Sequence, residues 1–482
     1  MLSKSKLIAY RQCPRKFWLN KYRPEVAVCS DDSVARIETG YLVGDLARKV
    51  FDPVCTGQTI NLKAAHEQTK DALLRCVPIF EASVATSDAQ AFADVLLPLE
   101  DNSWHLIEVK SASSVKDYHR EDVVAQAFIF KQAGVKLSKV SIAVIDSDWG
   151  YDGNYNGIFK LTDVSEETFA RIEEVGEWIV GAQAIEQGAE PLIPVGKQCV
   201  KPFKCEFMKH CGAGVATSEF PVSWLPNVKR KDLKEHLSNL EVRDLHDVPD
   251  ELLNVIQQRV KASSLAGTVF HDATVAKQHF AKYSKQPIYF LDFETIVFVV
   301  PIWQSTRPYQ QIPFQFSCHR VGRSGKITDT AFVDVSGNDP REALTLALID
   351  ACQTIGPIFA YNSGFEAARI RELAVEFPSL AKKLKRLARR LVDLTPIVQS
   401  CYYHPSQHGS FSLKAVLPAL VPELSYTTLA IQNGGEAQVA YLEAFREETT
   451  GLRKQEIRQQ LLDYCRMDTF GPLRMWQQLI QA

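Results

Sequence analysis

Two groups of acidic residues in this chain are of the types that cut phosphodiester bonds. The first is Asp94 followed by Glu108-Val109-Lys110. The second begins at Asp292-Phe293-Glu294, gains Glu366, and closes with Tyr464 and Asp468. Carboxylates set at strand ends are hard oxygen ligands suited to Mg²⁺ or Mn²⁺. Ions held in this way activate water and neutralise charge on a phosphate. Two such sets predict two nuclease centres, and a nucleic-acid-processing enzyme rather than a simple binder.

Glu108 and Lys110 are two apart, so on a strand they share a face, and Asp94 arrives from a neighbouring strand. Asp94, Glu108 and the Val109 carbonyl could then coordinate the ion. Lys110 could orient or activate the attacking water and stabilise charge on the phosphate. Surface strands often carry such pairs, but the flanks AFADVLLP and HLIEVK are apolar, and charges on buried strands need partners or a function. In the second set Asp292 and Glu294 again share a strand face. Tyr464 and Asp468, four apart on a terminal helix, face the same way. Asp292, Glu294, Glu366 and Asp468 are the expected metal ligands, and the Tyr464 hydroxyl is placed to position water.

The elements that must hold these residues are legible. Residues 91–98 and 104–110 read as adjacent strands joined by the turn 99–102, residues 123–134 as a helix ending at Gly134, and 140–145 as a buried strand. Residues 220–285 change character, with short amphipathic segments between turns. A second α/β unit starts at Ile288–Phe293, an apolar run typical of a central strand. It continues through short strands at 357–361 and 391–394 and ends in a helix from about 454 to 481. The expected division is an α/β domain over 1–213, a helical spacer over 214–285 and an α/β domain over 286–482. The spacer's 229–248 hints at a helix-hairpin-helix, but without a clear hairpin glycine it reads as a connector. His404, Gln407 and His408 read as solvated loop residues.

The chain has 482 residues, a net charge of −2 and 11 cysteines. No apolar run approaches the roughly 18 residues that span a bilayer, and the basic N-terminus lacks the apolar core of a secretory signal. A cytoplasmic protein is expected. The charge is unevenly placed: Lys4, Lys6, Arg11, Arg15, Lys16, Lys21 and Arg23 crowd the start, and six cations fall in 382–390. Such runs can neutralise phosphates, or can simply be solvated helix faces. Cys13, Cys199, Cys205 and Cys211 stand apart from seven scattered thiols, including Cys29. In a cytosolic protein four such thiolates could hold a [4Fe–4S] cluster or zinc.

Asp94, Glu108-Val109-Lys110 and Gln126 match in order the motifs of RecB-like PD-(D/E)XK nucleases. Gln126 with Phe130 resembles that group's Gln-x-x-x-Tyr, and Ser3–Trp18 is similar to its opening helix. Many members carry a metal-binding His in the next helix, and 40–50 has none, leaving Asp45 as the substitute. In the iron–sulfur branch, CRISPR-associated and AddB-type relatives included, one N-terminal and three C-terminal cysteines bracket the core. The resemblance therefore implies a structural [4Fe–4S] cluster on Cys13, Cys199, Cys205 and Cys211. The second set resembles DnaQ-like 3′–5′ exonucleases, of RNase H-like fold, in the branch ending in Tyr-x3-Asp. There Glu366 stands where Asp is usual, one methylene farther from the backbone.

The order resembles an uncharacterised bacterial family joining the two nucleases. The expected function is metal-dependent hydrolysis of DNA, at single strands or ends, in repair, recombination or defence. Asp94, Glu108, Lys110 and Gln126 serve one centre, and the second set serves the other. DNA is favoured over RNA, and a helicase is a candidate partner. The rivals are a binding scaffold with decayed centres and an RNA-processing exonuclease.

Overall fold

Side chains alternate along an extended strand, so a strand apolar at every position must be covered on both faces. Such strands sit at the centre of both sheets in the computed structural model, which is mixed α/β. It describes residues 1–28, 31–51, 54–55, 61–213, 218–239, 242–284 and 287–481. Cys29 and the expected spacer ends, 214 and 285, lie outside the described residues. The chain forms two units, Met1–Val215 with Phe298–Gln310, and Ala216–Val297 with Gln311–Ala482.

In the N-terminal unit the strands are β1 (Leu2–Ser3), β2 (Val54–Cys55), β3 (Ile79–Ala85), β4 (Ala89–Pro98), β5 (Trp104–Lys110), β6 (Leu137–Ile145) and β7 (Phe159–Asp163). They make one sheet in the order β2-β3-β4-β5-β6-β7, with β1 pairing with β4. Leu106 and Ile142 pack with Val123, Val124 and Phe130 of the helix Asp117–Gln132 on one face. Ile107, Val95 and Ala143 pack with Phe80 and Ala47 on the other. Glu108 follows Leu106 by two, so it points to the side of Asp117–Gln132 and is buried there.

The C-terminal unit holds a short pair, β8 (Phe270–His271) with β14 (Tyr402–Tyr403). Its main sheet contains β9 (Ile288–Val297), β10 (Gln311–Val321), β11 (Ile327–Val333), β12 (Ile358–Ala360) and β13 (Leu391–Asp393), in the order β11-β10-β9-β12-β13. Tyr289, Leu291 and Phe293 of β9 enter one core with Phe316, Leu344 and Leu348. The alternate residues Phe290 and Asp292 meet Trp476 and Cys465 of the helix Gly451–Gln481. The region expected as a spacer is built into this unit. Besides the β8–β14 pair, Ser264 and Tyr403 hydroxyls lie 3.0 Å apart and Arg259 donates to the Gln399 carbonyl.

Two glycines in this unit, Gly356 and Gly409, are irreplaceable on steric grounds, each with positive φ and a backbone carbonyl where a Cβ would go. Gly409 has φ +76°, and a Cβ there would overlap the Trp224 carbonyl oxygen. Gly409→Ala is expected to destabilise the unit by on the order of 3 kcal/mol, combining backbone strain with a backbone clash. Gly325→Ala, at φ +78° with nothing within 4 Å, should lose only about 1 kcal/mol. Urea unfolding of both variants measures the difference. No helix among the described residues is long and apolar enough to cross a membrane.

Candidate active sites

Asp292 and Glu294 leave β9 on the side of the terminal helix, and Asp468 of that helix meets them. One ligand oxygen from each of the three lies within 4.8 Å of the others. Opposite Glu294 the β9–β10 register shifts between Pro313 and Gln315, a bulge that re-aims a strand beside a site. Glu366 enters from the first turn of the helix Gly364–Glu376. It is 2% exposed, and its Oε2 has no hydrogen-bond partner among the described residues. Asp393 and Thr395 accept the Asn362 amide and so fix the turn leading into that helix. The Tyr426 hydroxyl donates to Asp468 Oδ1 at 2.5 Å, and the Tyr464 ring lies 6.2 Å from that of Tyr426. Lys414 lies over the Tyr426 and Tyr464 rings at 5.4 and 5.5 Å.

These carboxyls resist ionisation. Burial, then repulsion by Asp468, Glu366 and Glu294, pushes Asp292 well above the usual range. Burial and Asp468 raise Glu294 to about 8, with Lys414 opposing. Burial raises Glu366 to about 8 and Asp468 to about 6, the latter restrained by its Tyr426 bond. An acid whose folded pKa is raised stabilises the fold fully below the ordinary carboxylate range and loses that contribution as pH climbs towards about 8. In chelator, therefore, the C-terminal unit should melt at progressively lower temperature from pH 5 to 8, each group contributing at most ~1.4 kcal/mol per pH unit. Added Mn²⁺ should flatten that slope, as read by scanning calorimetry with and without the ion.

In the N-terminal unit β4 and β5 pair only as far as Val95–Ile107. Beyond that point Asp94 Oδ2 accepts the Val109 amide at 2.6 Å. Glu108 is gripped from three sides, by Lys4 Nζ at 2.8 Å, Lys110 Nζ at 2.6 Å and Gln126 Nε2 at 2.7 Å. Lys110 also bonds Asp122, and Lys4 lies 3.4 Å from it. Burial pushes the Glu108 carboxyl up, but Lys110 and Lys4 outweigh it and hold the group well below the usual range. Asp94, with burial and Glu108 acting together, rises to about 8. These groups open on a cavity of about 590 Å³ that Asp45, Arg48 and Glu81 also line. No three of its carboxylates form a close group, unlike those at Asp292, Glu294 and Asp468, among the residues described.

Glu81 is a functional candidate that sequence reasoning missed. The β3–β4 ladder pairs Phe80 with Val95 and Ala82 with Ala93 but omits Glu81 opposite Asp94. Glu81 has φ +53°, a left-handed conformation that costs a non-glycine residue on the order of 1–3 kcal/mol and concentrates at functional sites. Nothing in FEASVA signals it. Lys4 and Tyr426 were missed likewise, each reaching its site from a distant segment.

Residues 289–412 match a family described as a domain of unknown function, DUF2779. The match contains Asp292, Glu294 and Glu366, but not Tyr464, Asp468 or the N-terminal centre. No curated protein matches the chain. A solved structure titled "Crystal structure of SSO0001" is 13% identical, covering 45% of this chain and 87% of its own, with a TM-score of 0.25. So loose a superposition bears on neither fold nor activity.

Three of the four singled-out cysteines, Cys199, Cys205 and Cys211, lie in one small apolar cluster of the N-terminal unit. Cys13 is the junction of the helices Lys4–Gln12 and Pro14–Tyr22. Cys199 and Cys205 are buried with Leu19 and Phe207, and Cys211 packs against them. The Cys205 amide bonds the Cys199 carbonyl at 2.8 Å. Cys211 feels both Cys199 and Cys13, after burial, which is the main cause of its raised pKa. All four are free thiols, and no three close round a single ion.

The basic start of the chain is not a free patch. Lys4, Arg11, Arg15, Lys16, Lys21 and Arg23 each pair with a carboxylate of this unit. In 382–390 Arg390 is spent on the carbonyls of Cys352, Gln353, Ile355 and Gly356. Lys382, Lys383, Lys385, Arg386 and Arg389 remain exposed.

Proposed function

We propose that this chain is a metal-dependent nuclease acting on DNA, with a RecB-like PD-(D/E)XK centre in the N-terminal unit and a DnaQ-like exonuclease centre in the C-terminal one. The observation that carries the reading is the convergence of Asp292, Glu294 and Asp468 within 4.8 Å, beside the unpartnered Glu366 oxygen. Such a desolvated set of acids is unfavourable without a cation. Mg²⁺ or Mn²⁺ held there would activate water and neutralise the phosphate. Tyr426 keeps Asp468 oriented, and Tyr464, four residues before Asp468 on the same helix, is assigned the directing of water. At the other centre, burial opposes charge on Lys110, but Glu108 and Asp122 raise its pKa. Lys110 therefore acts as a fixed positive charge facing the phosphate rather than as a base. Gln126 and Lys4 hold Glu108 in place. The four cysteines are assigned a structural [4Fe–4S] cluster, with zinc as the alternative, on the apolar grouping of Cys199, Cys205 and Cys211 and the influence of Cys13 on Cys211.

The test is cleavage of single-stranded DNA labelled at either end, with Mn²⁺ or with chelator, by wild type, Asp94→Ala and Asp468→Ala. Mn²⁺-dependent cleavage that one variant loses assigns the activity to that centre, and the product ladder gives its direction. Absence of cleavage by iron-replete wild type with salt-sensitive binding retained would replace this reading with a non-catalytic scaffold. Preference for the matching RNA would make it an RNA-processing enzyme.

A further inference from the structure

The N-terminal centre contains three cations, and two are already neutralised. Lys4 and Lys110 both bond Glu108 and approach Asp122. Arg48 does neither. It projects from the helix Asp31–Phe51 into the same cavity, and its Nε and Nη2 are buried without any hydrogen-bond partner among the described residues. Its guanidinium lies over the Phe80 ring at 4.4 Å, a stacking that fixes the plane of the fork. Leaving charged donors buried and unsatisfied is costly, so an arginine held in this way is unfavourable unless something else completes its bonding.

The cavity walls show what that partner is. Arg48 lowers the pKa of Glu81, whose raised value comes first from burial and then from Glu108, yet no hydrogen bond joins Arg48 to Glu81. Asp94 and Glu108 take their bonds from Val109, Lys4, Lys110 and Gln126. The free guanidinium edge, a planar pair of donors, matches two oxygens of a phosphate. We propose that Arg48 is the phosphate clamp of the N-terminal centre, receiving a non-bridging phosphate oxygen of the nucleic-acid strand. The clamp rests on the nuclease reading of this centre. It positions the substrate, and the carboxylates and Lys110 face the bond that breaks.

The test uses full-length protein carrying Asp292→Ala, which silences the C-terminal centre, with and without Arg48→Ala or Arg48→Lys. KM and kcat are measured on single-stranded oligonucleotides with Mn²⁺, together with equilibrium binding over a range of salt. Arg48→Ala should raise KM and the dissociation constant about 10- to 100-fold, and make the log–log salt dependence shallower by about 0.7, the value of one phosphate contact on a single strand. Arg48→Lys should recover part of the affinity. Mn²⁺ affinity and melting temperature should not fall. Comparing 5′-phosphorylated with 5′-hydroxyl strands separates sources: a loss confined to the former assigns a terminal phosphate, and equal losses assign an internal one.

Unchanged affinity and salt slope in Arg48→Ala would overturn the clamp and leave the nuclease reading standing. No cleavage by Asp292→Ala alone would count against the N-terminal nuclease, while binding and its salt slope would still decide Arg48. If Arg48→Ala lowers the melting temperature, Arg48→Gln keeps a planar polar group, removes the charge and carries the same readouts.

Discussion

Asp468→Ala is expected to lower cleavage at the C-terminal centre by about 10³-fold, whereas Tyr426→Phe should lower it only about 10- to 100-fold. Asp468 supplies one of the three oxygens that converge within 4.8 Å. Without it Asp292, Glu294 and Glu366 would be left to hold a divalent ion, with one carboxylate fewer to bind it and to neutralise the phosphate. Tyr426 acts at one remove, through its hydroxyl on Asp468 Oδ1. Raising the Mn²⁺ concentration should therefore recover Tyr426→Phe but not Asp468→Ala. Initial rates on end-labelled strands across a Mn²⁺ series make the measurement. Equal losses in both variants, with melting temperatures intact, would show that Asp468 is not a ligand.

Cys205→Ala is expected to abolish iron binding and unfold the N-terminal unit. A metal centre that ties chain ends contributes its binding free energy to folding, on the order of 10 kcal/mol for structural zinc. That is comparable with the whole stability of a domain. Cys13 lies in the opening helices, whereas Cys199, Cys205 and Cys211 follow the last helix pair of the unit, so one cluster would join segments nearly two hundred residues apart. By contrast Cys401→Ala, in a buried helix of the other unit, should keep its iron and lose only packing. Iron content and absorption near the cluster bands, beside calorimetry, compare the two. Full iron in Cys205→Ala would remove the cluster from this account.

Asp292 and Glu294 were legible because they stand two apart at the end of the apolar run IYFLDFE and so share a face. Tyr464 and Asp468 were legible through helical spacing alone. Gln126 entered only through the resemblance to RecB-like nucleases, and its bond to Glu108 needed the fold to be seen. What escaped was set by tertiary geometry. Tyr426 sits in a single turn, Tyr426–Thr428, with no periodicity to reveal that it reaches Asp468. Glu81 occupies an ordinary-looking strand and is distinguished only by its backbone angle. Arg48 is one cation in a mixed helix, and only its empty donors separate it from a solvated one. The opening run of cations misled for the opposite reason: their acidic partners lie up to 190 residues away in sequence, as Lys16 with Glu206 does. The stretch expected as a spacer groups with the C-terminal unit, and short amphipathic segments look alike whether they link domains or pack on one.

The segment Phe298–Gln310 belongs to the N-terminal unit although it is encoded between two strands of the other. Its Val299, Val300 and Tyr309 pack on Val43, Leu46, Ile145 and Ile158. During synthesis on a ribosome, then, the first unit cannot complete this apolar cluster when residue 215 emerges. It must wait until β9 has also been made, with those four side chains uncovered in the interval. A gene fragment ending at the apparent domain edge would make that interval permanent, and its product should be sticky and poorly soluble even with every catalytic residue present.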